Sequence, residues 1–130
     1  MRSEIGREMK LYVAGPMRGY PNFNFPLFDE ATEHYRSLGF YVVSPAEHDR
    51  EICDGNIEDK PGYATGDVSM YAESTGFDFK SVIMWDLAQI AECDGIVLLP
   101  GHENSSGARV ELALAQALGL EVMEYAVLNV

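Results

Sequence analysis

Residues 95–118 read Gly95-Ile96-Val97-Leu98-Leu99-Pro100-Gly101-His102-Glu103-Asn104-Ser105-Ser106-Gly107-Ala108-Arg109-Val110-Glu111-Leu112-Ala113-Leu114-Ala115-Gln116-Ala117-Leu118. The run Gly95–Leu99 has the length and apolarity of a buried strand. A Gly/Asn/Ser-rich loop follows, and from Ser105 an apolar helical pattern runs to Leu118 and stops at Gly119. Strand, small-residue loop and helix, in that order, are how α/β proteins present backbone N–H groups to an anion. Glu111 lies about one turn inside the helix. It is flanked by Val110, Leu112, Ala113 and Leu114 and shares a face with Gly107, Ala108, Ala115 and Leu118.

The same alternation recurs outward from this stretch. Leu11–Ala14 is a short apolar strand cut off by Gly15-Pro16, and the loop Met17–Asn22 follows. A helical pattern from about Phe25 to Leu38 repeats apolar residues at Leu27, Phe28, Ala31, Tyr35 and Leu38, with Gly39 as its stop. Phe40–Val43 reads as a second strand ended by Ser44-Pro45. A helix near Phe79–Glu92 buries Val82, Ile83, Trp85, Leu87, Ile90 and Ala91, and Glu121–Tyr125 is a fourth strand. Alternating strands and helices predict an α/β fold, Rossmann-like or flavodoxin-like, with three layers and a four- to five-stranded parallel sheet. One domain over residues 1–130 is expected, with residues 1–9 as a loose extension.

Residues 46–77 break the pattern. They hold Gly55, Pro61, Gly62, Gly66 and Gly76, five acids from Asp49 to Asp59, and no sustained period. The expectation is an irregular insertion with at most a short helical turn. A lid or oligomer contact and a disordered acidic loop stand as equal readings.

Nine basic and 21 acidic residues give a formal charge of −12. Such a field repels polyphosphate chains, so no nucleic-acid partner is expected, although a small nucleotide can still find a locally positive site. No apolar run approaches the roughly 20 residues needed to span a bilayer. The N-terminal residues lack a signal-peptide core, so a soluble cytoplasmic protein with no membrane partner is expected. Cys53 and Cys93 have no metal-type spacing, and Cys93 reads as a packed thiol. His34, His48 and His102 are scattered and read as ordinary side chains, so neither a metal nor another cofactor is expected.

In an open parallel sheet, ligands bind beyond the C-terminal ends of the strands. Arg18, Asp86, Ser105, Ser106 and Glu111 would converge there if the first and third strands are neighbours. Ser105, Ser106 and Gly107 offer donors to a phosphate or carboxylate, or simply cap the helix. Arg18 is either an anion ligand or a solvated loop residue. The Gly15/Gly19 spacing matches neither a P-loop nor a dinucleotide fingerprint. Glu111 is either a working carboxylate or a structural one tied to Arg109 or a neighbouring amide. With Asp86 it would make the acid pair used to break glycosidic bonds, where negative charge stabilises an oxocarbenium-like transition state.

Three segments then carry a resemblance: Tyr12-Val13-Ala14-Gly15-Pro16-Met17-Arg18-Gly19, Asp86-Leu87 with Cys93-Asp94-Gly95, and Ser105-Ser106-Gly107 with Glu111-Leu112. In this order they resemble the nucleoside 2-deoxyribosyltransferase-like superfamily, notably its 2′-deoxynucleoside 5′-monophosphate N-glycosidase branch. The resemblance implies that Glu111 is a nucleophile toward C1′ of the sugar. It implies that Asp86 orients the sugar or assists proton transfer to the base, and that Tyr12 positions Glu111 or the sugar. Ser105 and Arg18 would hold a 5′-phosphate, aided by the Gly107 backbone, with Gly15, Gly19 and Ser106 as further substrate- or phosphate-binding residues. The implied activity is hydrolysis of a (deoxy)nucleoside 5′-monophosphate. Transfer of the sugar to a second base and non-catalytic nucleotide binding are the alternatives. The expected partners are a small-molecule nucleotide and a second copy of the chain, as a homodimer or larger homo-oligomer. Leu128-Asn129-Val130 faintly echoes the tail with which transferases complete a neighbour's site.

Overall fold

Short β-rich apolar runs supply four parallel strands: β1 (Lys10–Ala14), β2 (Tyr41–Val43), β3 (Gly95–Leu98) and β4 (Glu121–Glu124). The computed structural model describes residues 9–126, so the N-terminal extension and the Leu128–Val130 tail lie outside the described residues. The strands are ordered β2-β1-β3-β4, with Tyr12 opposite both Val43 and Ile96. The sheet therefore has four strands among the described residues, at the lower bound of the expectation.

Five α-helices accompany it: α1 (Phe25–Ser37), α2 (Pro45–Ile52), α3 (Val68–Thr75), α4 (Phe79–Ala91) and α5 (Ser106–Ala117). Side chains alternate along the strands and divide the core into two layers. Val13 and Val42 pack with Phe25, Phe28 and Ala31 of α1 and Ala46 of α2. Tyr12, Ala14, Ile96 and Leu98 pack on the other face with Ile90 of α4 and Ala115 of α5. The helices change face where the strand order reverses, between β1 and β3, as right-handed crossovers require. This is the three-layer, flavodoxin-like arrangement.

The stretch 46–77 differs from its reading as irregular, because two eight-residue helices, α2 and α3, account for much of it. The helical signal of α2 is hidden because its buried stripe is Ala46 and an acid, Asp49, rather than two apolar residues. In α3 only Tyr71 is buried, so no stripe exists. Its caps are nevertheless ordinary: Asp67 accepts from the Met70 amide at 3.0 Å, and Gly76 closes the helix in the left-handed region. Two bidentate ion pairs clamp α2 in place. Arg50 holds Asp29 of α1 at 2.9 and 2.6 Å, and Arg36 of α1 holds Glu47 at 2.7 and 2.8 Å. These partly exposed pairs contribute little stability, but they fix the direction of the helix.

Candidate active site

The loops after β1 and β3 meet at the point where the strand order reverses, and a cavity of about 260 Å3 opens there. Gly15 permits the approach, since a Cβ in its place would stand 2.7 Å from the Leu99 side chain. Walls come from the loop 15–20, Phe23, the α2–α3 segment, the first two turns of α4 and the start of α5.

Three carboxyls border this cavity: Asp49, Asp86 and Glu111. Each occupies a position that its helix would normally give to the core. Asp86 lies between Val82 and Ile90, and Glu111 between Ala108 and Ala115, at helical spacing. All three acids are over nine-tenths buried. The wholly buried Tyr12 hydroxyl donates to Glu111 Oε2 at 2.8 Å, reaching from beneath the cavity. Asp49 Oδ1 and Asp86 Oδ1 have no protein partner.

Burial dominates the electrostatics. It drives Glu111 well above the usual carboxylate range, reinforced by the charge of Asp86 and opposed by the Tyr12 hydrogen bond. Burial lifts Asp86 to about 7, and the nearness of Glu111 and Tyr12 opposes the rise. It lifts Asp49 to about 8, with help from Asp86. Tyr12 is itself raised by burial and by both acids, so it stays a neutral donor. Both carboxyls are pushed up in the same buried site, and the charge of Asp86 makes ionisation of Glu111 harder still.

The loops supply a different chemistry. Ser105 caps α5, its Oγ accepting from the Ala108 amide at 3.2 Å. The Ser106 and Gly107 amides precede the first intrahelical bond, from Arg109 N to Ser105 O, and have no intrahelical acceptor. Capping and anion presentation thus coexist at one helix end. The exposed Arg18 stacks its guanidinium 3.9 Å from the Phe79 ring centroid at the cavity rim.

Of the residues singled out from sequence, Gly15, Arg18, Asp86, Ser105, Ser106, Gly107 and Glu111 line one cavity, and Tyr12 lies directly behind Glu111. Gly19 does not line it; its amide donates to Gly66 O at 2.8 Å and its φ is +79°. Glu111 is bound to Tyr12 rather than to Arg109, which is exposed. Sequence reasoning missed Asp49 and the aromatic wall of Phe23, Tyr71 and Phe77. The available signal was Pro45 at the first helical turn with Ala46 and Asp49 three apart.

Fold and site together define a flavodoxin-like α/β protein with an acid-bearing cavity at its topological switch point. The chain belongs to the family described as "Domain of unknown function (DUF4406)", which matches residues 9–124. No curated protein matches it. Nine solved chains do. One, titled "Solution Structure of BlsM", is 16% identical with a TM-score of 0.51, over 94% of this chain and 83% of that one. Likeness at that identity is a likeness of fold. Among the described residues, no helix is long and apolar enough to cross a membrane.

Proposed function

We propose that the protein is an N-glycosidase that hydrolyses the base–sugar bond of a nucleoside 5′-monophosphate, with a deoxyribonucleotide as the favoured substrate. One observation carries the reading: Glu111 is buried beside Asp86 at the wall of a cavity that also holds the unpaired amides at the start of α5. A phosphate suits those amides and Arg18. One helical turn separates them from Glu111, which puts the sugar against the carboxyl pair.

In the reactive complex Glu111 stands ionised and Asp86 carries a proton. The Glu111 carboxylate then attacks C1′, and the C1′–N bond breaks with its electrons going to the base. The base takes the Asp86 proton and leaves, and a Glu111–C1′ ester remains. In the second half, Asp86 accepts a proton from water as that water attacks C1′, and Glu111 departs as carboxylate. Tyr12 supports the ionised Glu111 in both half-reactions through its hydrogen bond.

Chromatography of free base after incubation with each nucleoside monophosphate tests the reading. Wild type should release base, and Glu111→Ala should lower the rate by about 10³-fold or more. Equal release by both proteins would sink the mechanism. An added second base that yields exchanged nucleotide would identify a transferase instead.

A further inference from the structure

The cavity lining combines two chemistries. Arg18 and the start of α5 suit an anion, whereas the segment 45–77 contributes Ile57, Val68, Tyr71 and Phe77, the last two clustered with Phe23. Asp49 lines the same cavity, 8% exposed, with Oδ1 buried and unpartnered. An unsatisfied buried acceptor is costly, and no group among the described residues pairs with it. The ion pairs of Glu47 and Arg50 hold α2 against α1 on both sides of Asp49.

We infer that Asp49 reads the leaving group: its carboxyl hydrogen-bonds the polar edge of a planar nucleobase seated against Phe23, Tyr71 and Phe77, which makes it a specificity-determining residue. This rests on the proposed N-glycosidase reading, which gives the phosphate to Arg18 and the start of α5 and leaves the apolar, aromatic lining for the base. Aromatic walls with one or two placed polar groups are the usual composition of a site that orients a flat heterocycle. Asp86, in the same lining as Glu111, serves the bond between sugar and base and leaves the far edge of the base to Asp49. Held at about 8 by burial, Asp49 carries a proton at neutral pH. It then offers one donor and one acceptor side by side, matching the amide or amidine edge of a nucleobase. An apolar aglycone would leave it unpaired and be rejected.

Calorimetric titration in a Glu111→Gln background, which prevents turnover, separates the possibilities. The probes are the four common deoxyribonucleoside 5′-monophosphates and deoxyribose 5-phosphate, which has no base. Adding Asp49→Leu should weaken the preferred nucleotide by about tenfold or more. It should also compress the spread among the four bases, while deoxyribose 5-phosphate binds as before. Asp49→Asn keeps a donor and an acceptor and should preserve the order of the bases. If Asp49→Leu weakens the sugar phosphate as much as the nucleotides, or leaves the base order intact, the assignment is overturned while the glycosidase reading stands. If the Glu111→Gln protein binds none of the five compounds, the nucleotide reading fails and the assignment falls with it.

Discussion

Tyr12 is the hydroxyl on which the ionised Glu111 depends. It is fully buried in the central strand, and its bond to Glu111 favours the charged carboxylate against burial and the charge of Asp86. Tyr12→Phe removes that bond and leaves the ring packing intact. The shift has a definite sign: without the donor, the Glu111 pKa rises further, so the acid limb of the pH–rate profile moves to higher pH. The rate at neutral pH should fall about ten- to a hundredfold. A profile that keeps its shape would show that Tyr12 is only packing. The acids themselves explain why the cavity must exist. Each stands where an apolar residue would stabilise its helix, and a proton or a ligand is what makes such a position tolerable.

The segment 46–77 forms part of the cavity wall. Its helix α2 brings Asp49, and its loop ends are sewn to the loop after β1. Gly19 N donates to Gly66 O at 2.8 Å and Asn22 N to Ala64 O at 3.1 Å. Asn22, Phe23 and Asn24 all adopt left-handed backbone, with φ of 56°, 51° and 62°. Such backbone costs roughly 1–2 kcal/mol per non-glycine residue, less for Asn. Phe23 is held there by edge contacts with Tyr63 and Tyr71 at 5.9 and 5.4 Å, and Asn24 anchors the turn to Pro16 O at 2.9 Å. Gly66 is the tightest point: its φ is +77°, and a Cβ would meet Tyr20 O at 2.3 Å. Gly66→Ala should therefore lower stability by roughly 2–4 kcal/mol and weaken nucleotide binding by displacing Arg18. Urea unfolding and a ligand titration check the two effects, and a neutral result would mean the strap is slack.

Taken over the whole chain, the buried acids make stability depend on pH in an unusual direction. Asp49 and Asp86 titrate near 3.8 when unfolded and at about 8 and about 7 when folded. Between those limits the folded chain binds more protons, so its stability is greatest near the acid end of the window. It is lost progressively as pH rises toward 7 and 8, where the two acids ionise in the folded chain. Thermal melts from pH 5 to 8 should show a falling Tm. Asp49→Asn, which cannot ionise, should flatten the slope and raise Tm at pH 8. A Tm that climbs with pH would contradict the burial of these groups. The surplus of acids over bases acts in the same direction, because self-repulsion grows as each carboxyl ionises.

The alternation of strands and helices was legible in local pattern, because burying one face of a strand or helix imposes a period on the residues that do it. Glu111 and Asp86 stood out as charges in apolar stripes, and Ser105–Gly107 as a loop opening a helix. Asp49 did not, because a polar helix with a single acid in its stripe has no period to read, and neither does α3 with one buried tyrosine. The meeting of Tyr12, Asp49, Asp86 and Glu111 could not be read along the chain. They come from a strand and three separate helices, up to 99 residues apart in the Tyr12–Glu111 bond. Only the parallel sheet, by setting β1 beside β3, closes those distances. Local preferences act within a few residues, whereas burial and the pairing of distant acids exist only once the layers have packed.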